Sequence, residues 1–363
     1  MCYAKLIVHF IFKSIDSIKT LFPNPSESLF SVTVQITLNI IISIFLLGTV
    51  YGQHDSLPYT LYRDKIVLYG DLGFSVAPFS IKDNFVGGYN KIQYKHNYKS
   101  GLGLGIIYNW FALRLRFSLP GNMRPISKFG KSNYTDLGVS FQLKKWYFDL
   151  DLRSYRGYSI KNANRWNHTL NELYPNDIRS QIRVVSFSAN SWYFFNKHLK
   201  MPAVLGKAGH YNKEVKTWYL KSTVNFFGVA DNGPLVPDEL TDTLVTRSSA
   251  NLISALDLGG VPGYAYVNHF NHWKVTAFAG IGGVIQAKFF SVGSLTRGFI
   301  GLAPRFDLRF ITGYSKPSYF VWFVTDFDIK SIRHQEMRYL QTYYTLRLVG
   351  GVRLTKKEKK SMN

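Results

Sequence analysis

The sequence predicts an all-β chain: a single antiparallel up-and-down transmembrane β-barrel of about twelve strands, with fourteen as the alternative. Three observations point there. Aromatics make up 16 % of the residues, 24 Tyr and 28 Phe against 5 Met, and 29 glycines accompany them, a composition suited to strands and tight turns. Long segments alternate between apolar and ionised residues. No stretch after the first fifty residues reaches eighteen consecutive apolar positions, so nothing there reads as a membrane-spanning helix.

Residues 1–52 read as a leader. The run NIIISIFLLGTVYGQ (39–53) is compact and apolar, ends in Val50-Tyr51-Gly52, and is too short for a comfortable transmembrane helix. It predicts a signal peptide cleaved before Gln53, with a single-pass anchor as the alternative. A periplasmic N-terminal segment is expected at 53–63, the barrel at 64–354, and a solvated basic tail at 355–363. Cys2 is the only cysteine and falls in the leader, so the mature chain would lack a lipoprotein anchor, a zinc-thiolate site and a cysteine nucleophile. Net charge is +22. The basic residues are spread through strand-like segments with no basic helix, which argues against nucleic acid. The partners expected instead are outer-membrane lipid and lipopolysaccharide, and small anionic solutes.

The strands justify themselves by parity. In KKWYFDLDLRSYRGY (144–158), Trp146, Phe148, Leu150 and Leu152 share one face, and Tyr147, Asp149, Asp151 and Arg153 the other. Before it, Ile66, Leu68 and Leu72 oppose Tyr69 and Asp71, while Leu113, Leu115 and Phe117 oppose Arg114 and Arg116. After it, Trp273, Val275, Ile281 and Ile285 oppose Lys274 and Lys288, and Leu302, Phe306 and Leu308 oppose Arg305, Asp307 and Arg309. Val321, Phe323 and Phe327 then oppose Asp326, Asp328 and Lys330, and Leu346, Leu348 and Val352 oppose Arg347 and Arg353. A soluble sandwich also alternates, but its strands are shorter and its faces tolerate exceptions. Strands of nine or more residues with a charge-free outer face match lipid, and only a closed barrel hides every strand edge there.

Thirteen strand-like segments can be marked, an odd number. Reading 200–229 as one bent strand, interrupted near Pro202 and Gly206, reduces them to twelve. Turns at 109, 144, 196–199, 269–272 and 314–318 then become periplasmic. The connections 81–90, 119–132, 158–181, 230–258, 290–298 and 333–337 become outer loops. On the seven strands tested by parity the lumen-facing charges number ten basic to six acidic. If water fills the lumen, that surplus favours anions; if it is packed, the same residues pair.

The stretches YKSGLGLGIIYNWFALRLRFSLP (98–120), FDLDLRSYRGYSI (148–160) and GYAYV (263–267) resemble the uncharacterised Bacteroidota family catalogued as domain of unknown function 4421, over about residues 60–354. The resemblance implies an outer-membrane setting in a Gram-negative cell and carries no activity or catalytic residues.

Little else points to chemistry. The only His-x-Ser, His54-Asp55-Ser56, lies outside the barrel, which argues against a phospholipase-like site. His269 and His272 fall in a short turn without an acid or cysteine beside them, His210 is alone, and the acidic loop 231–243 lacks calcium-loop spacing. The expectation is therefore a barrel without catalytic residues, metal or cofactor, acting as a narrow anion-favouring pore or as a structural, envelope-interacting protein. The alternatives are a lipid-modifying enzyme using loop residues such as His168 or Asp242, and a subunit of an export or adhesion assembly.

Overall fold

The computed structural model describes residues 57–242 and 246–355. The leader, the His54-Asp55-Ser56 triplet and all but the first residue of the basic tail lie outside them. The strands in chain order are β1 (Tyr59–Leu61), β2 (Lys65–Val76), β3 (Phe79–Lys82), β4 (Lys91–Lys95), β5 (Ser100–Tyr108), β6 (Phe111–Ser118), β7 (Asn133–Leu143), β8 (Trp146–Ile160), β9 (Asp177–Phe194), β10 (Gly209–Tyr211), β11 (Val215–Ala230), β12 (Leu252–Phe270), β13 (Trp273–Val292), β14 (Leu295–Ser315), β15 (Tyr319–His334) and β16 (Met337–Thr355). Fourteen of them form one antiparallel sheet, and β1 and β10 form a separate two-stranded ladder.

The sheet closes into a barrel of twelve staves, because β15 pairs β16, β16 pairs β2 and the chain returns through β5 to β9. Fourteen segments make twelve staves because β3 continues β2 along β16, and β4 continues β5 beyond a break at 96–99. Pro78 has no N–H to give the ladder where β2 passes into β3. Past the ends of β6 and β7, β4 pairs β8 directly, through Tyr94↔Ile160 and Lys95↔Ser159. A bulge at Gly157, with φ +83°, re-aims β8 for this exchange; a Cβ there would lie 2.1 Å from Lys131 O. In one place the ring is not zipped: β14 pairs β15 only from Leu308↔Phe327 to Ser315↔Phe320, although both strands run on.

Tight turns follow the backbone rules. Asn109, Lys144, Asn271, Gly293 and Gln335 each open a two-residue hairpin with positive φ, the geometry that matches strand twist. The predicted loop 290–298 is accordingly too long. β13 and β14 run as a continuous hairpin to the turn at Gly293-Ser294, where Gly293 takes φ +58°.

Outward positions are apolar and exposed, among them Leu72, Leu104, Leu258, Ile281, Leu302 and Leu348, and Trp146, Trp218, Trp273 and Tyr319 ring the end where the described residues begin at Leu57 and finish at Thr355, the termini end. Such a band between aromatic rims is the surface a bilayer solvates. The interior has three layers. At the termini end an apolar core joins Trp192, Phe194, Tyr219 and Phe278 to Leu199, Met201, Val204 and Tyr211. At the loop end a second core joins Phe79, Tyr94, Tyr158, Ile182 and Tyr339 to Leu235, Val236 and Leu240. Ionised residues fill the level between.

The termini-end core corrects the strand count by a different route from the one expected. Residues 200–211 are not part of a wall strand; the connection 195–214 folds inward as a plug, with a helical turn at Met201–Val204 and β10 laid against β1. The alternation read there belongs to a segment buried on all sides, which parity cannot distinguish from a strand. The expected N-terminal segment takes part too, since β1 and the buried Tyr62 complete the plug.

Candidate functional site, a capped polar chamber

The plug is gripped by side chains whose charge sequence reasoning assigned to the lumen. Lys274 donates to Ala203 O at 2.8 Å and also to Val204 O, and its ammonium lies 4.6 Å from the Trp322 ring. Arg353 donates to Gly206 O at 2.6 Å and Lys207 O at 2.7 Å, sandwiched by Tyr62 and Phe320. Trp322 Nε1 adds a bond to Gly206 O at 3.1 Å. Gly206 has φ +70° and would place a Cβ 2.3 Å from the Trp322 ring, so no other residue fits. Lys274 and Arg353 thus face inward but clamp backbone carbonyls and do not line a passage. From the plug, Lys207 reaches back over the Tyr69 ring at 3.8 Å, and burial pushes its pKa well below the usual lysine range.

The loop end is closed by the acidic loop, which sequence reasoning left in solvent. Asp231 is held by Arg179 at 2.6 Å, and Arg179 also donates to Pro234 O at 2.5 Å. Tyr94 donates to Leu235 O. These bonds set Leu235, Val236 and Leu240 into the apolar core, and Asp231 is committed to an arginine. Lys288 sits at this end as well, donating to Arg333 O at 2.5 Å.

Between the caps the remaining predicted lumen residues meet in pairs. Arg114 bridges Asp136 at 3.1 Å and Asp151 at 2.9 Å, and Arg153 reaches Asp151 at 3.4 Å. Arg116 meets Asp71 at 3.1 Å with both side chains almost fully buried. Asp326 accepts from Arg309 at 2.5 Å and Arg347 at 2.6 Å. Asp307 accepts from Lys221 at 2.9 Å and Tyr219 at 2.8 Å, and Arg305 pairs with Asp257. Lys330 lies 3.7 Å from Asp328 and donates to Ser186 at 2.7 Å and Asn225 at 2.9 Å. Asp149 lines both of the cavities left in this layer, of about 70 and 90 Å³.

The basic surplus expected for the lumen shrinks to one. Asp136, Asp257 and Lys221 sit on strands whose parity was not tested, and Lys274, Lys288 and Arg353 lie at the caps. The chamber then holds eight acids (Asp71, Asp136, Asp149, Asp151, Asp257, Asp307, Asp326, Asp328) and nine bases (Arg114, Arg116, Arg153, Lys207, Lys221, Arg305, Arg309, Lys330, Arg347). A site so nearly balanced gives little electrostatic ground for preferring anions.

The candidate histidines stay apart from this layer. His269 and His272 lie at the β12–β13 turn, His210 in the plug shares a 2.6 Å hydrogen bond between its Nδ1 and the Tyr62 hydroxyl, and burial lowers the His210 pKa. His168 is exposed in the loop after β8, and Asp242 lies in the loop-end cap. Among the described residues no group of three His, Cys, Asp or Glu is arranged to hold a metal ion.

A model of the family described as Domain of unknown function (DUF4421) matches residues 55–353. No curated protein matches the chain. Similar solved structures include the outer membrane protease OmpT from Escherichia coli (6 % identity, TM-score 0.37, covering 81 % of this chain and 98 % of that one). The translocator domain of autotransporter NalP from Neisseria meningitidis is similar at 9 % identity and TM-score 0.37, covering 91 % and 98 %. An outer membrane channel from Pseudomonas putida F1 is similar at 11 % identity and TM-score 0.36, covering 84 % and 100 %.

Proposed function

Since this chain belongs to the DUF4421 family, we propose from the barrel's own geometry that it is a non-catalytic outer-membrane protein of a Gram-negative cell, with a lumen closed at both ends and a structural or envelope-interacting role. The apolar exterior supports a bilayer setting. With the plugged end and its aromatic rim toward the periplasm, the capped loops face outward. The observation that carries the closed reading is the plug: three side chains from β13, β15 and β16 donate to its carbonyls, and its Leu199, Met201 and Val204 are buried in an apolar core with the wall residues Trp192, Phe194 and Phe278.

Exposed Lys82, Lys91, Lys161, Arg297 and Arg338 at the loop end suit the phosphates of lipopolysaccharide, which is the partner this reading favours. The test is single-channel recording of residues 53–363 refolded into a planar bilayer. A folded, inserted barrel should be silent; steady anion-selective steps would overturn the closed reading and restore the pore.

A further inference from the structure

Where β14 and β15 stop pairing, the sequence explains why. Continuing the register past Leu308↔Phe327 would set Asp307 opposite Asp328 and Arg305 opposite Lys330, two like-charge rungs on the inner face. The next position would set Pro304, which has no N–H, opposite Ser331. The strands part instead. The carbonyls of β15 along the gap are met by side chains: Arg305 donates to Ile329 O at 3.1 Å, Gln286 to Ser331 O at 3.0 Å and Lys288 to Arg333 O at 2.5 Å. Beyond the gap β14 is exposed on both faces from Leu295 to Ile300. A wall latched by rotatable side chains can open by breaking bonds one at a time, whereas a backbone ladder cannot.

The smaller cavity of the chamber reaches this seam. Its lining joins Asp149 and Asp151 of the interior to Phe306, Leu308 and Phe327, whose side chains lie on the lipid-facing parity. With both ends of the lumen capped, the seam is the approach to the chamber from the bilayer. We propose that it is a lateral entry through which the headgroup of a zwitterionic phospholipid reaches the chamber while the acyl chains remain in the membrane.

The inference rests on the membrane-barrel reading. At about 30 Å³ per water the cavity of about 70 Å³ has room for roughly two waters, so a headgroup enters only as the seam parts, and the acyl chains stay outside. Both charges of a zwitterion find partners on its lining. The Asp328 carboxylate, 35 % exposed and only 3.7 Å from Lys330, exchanges that loose contact for an ammonium, and the Arg309 guanidinium shares its charge between Asp326 and a phosphate. Phe306, Leu308 and Phe327 form the apolar lip on which the first methylenes lie.

The experiment is native mass spectrometry of the protein extracted in mild detergent from vesicles containing equal phosphatidylethanolamine and phosphatidylglycerol. One phosphatidylethanolamine per barrel is expected, with at least tenfold loss in Asp328→Asn. A Phe306→Cys/Ile329→Cys pair, placed to bridge the lips, should lose the lipid when oxidised and regain it on reduction. Vesicle flotation and heat-dependent gel mobility report insertion and folding separately, so a barrel that fails to float refutes the membrane reading and not the seam. A floated, folded barrel that retains no lipid overturns the proposal. So does equal retention of phosphatidylglycerol, or binding unchanged in Asp328→Asn and in the oxidised pair.

Discussion

Replacing Arg353 with Met should loosen the plug without unfolding the barrel. Methionine keeps most of the stem that packs between Tyr62 and Phe320, while the guanidinium bonds to Gly206 O and Lys207 O of the plug, and to Ser315 Oγ, Lys316 O and Tyr319 O at the β14–β15 turn, are lost. A hydrogen bond to a charged group contributes about 1.5–3 kcal/mol. Gly206 O keeps Trp322 Nε1 as a donor, so the loss falls mainly on Lys207 O, and a net destabilisation of the plug of about 3 kcal/mol follows. At 1.4 kcal/mol per factor of ten, this corresponds to roughly 100-fold faster opening. Hydrogen exchange read by mass spectrometry on the folded protein gives the answer at the plug amides of Val204 and Leu205, which donate to Lys200 O and Met201 O, and at Tyr62, which donates to Ala208 O. Amides of β13 are the internal reference. Unchanged protection at 201–211, or loss shared equally with β13, would refute the claim that Arg353 clamps a separable plug.

Three further outcomes are expected. Lys274→Met removes the donor to Ala203 O and Val204 O and should accelerate exchange at Met201–Val204 by tenfold or more, with the bilayer recording turning from silent to flickering. Asp71→Asn leaves the buried Arg116 guanidinium without its counter-charge and should cost about 3–5 kcal/mol in urea unfolding, whereas replacing both with leucine should cost much less. His96, buried between β4 and β5, has its pKa lowered to about 4 by burial. The unfolded chain therefore binds the extra proton first, so stability contributed above about pH 6.5 is lost as pH falls toward 4, by about 3 kcal/mol in full. His96→Phe should flatten that part of the pH profile, and an unchanged profile would sink the assignment.

The strands were legible because an apolar exterior and a polar interior impose period two on every stave, as in Leu346-Arg347-Leu348. The plug was not. MPAVLGKAGHY has apolar residues at strand-like intervals, and only Pro202 and Gly206 hint that the chain turns inward. The balance of the chamber was half legible for a related reason. Asp136 sits between Thr135 and Leu137, and Asp257 between Leu256 and Leu258, single charges in segments whose register only the neighbouring strands fix. The seam was written in the sequence as Pro304, Arg305 and Asp307 against Asp328 and Lys330, yet like charges conflict only once the register sets them opposite one another.

The chamber poses a question that stability does not answer. Buried ion pairs gain little over well-packed apolar residues, because desolvation offsets the attraction. The two ends of this same lumen are in fact filled with Trp, Tyr, Phe and Met. A barrel of this width could have been packed that way throughout. Instead most of the ion pairs sit at the level that retains cavities and that meets the parted strands, whereas the charges at the sealed ends, Lys274, Arg353 and the Arg179–Asp231 pair, hold the caps in place. Charges kept beside an unzipped wall fit a chamber that receives a polar group from the side better than one that merely fills space.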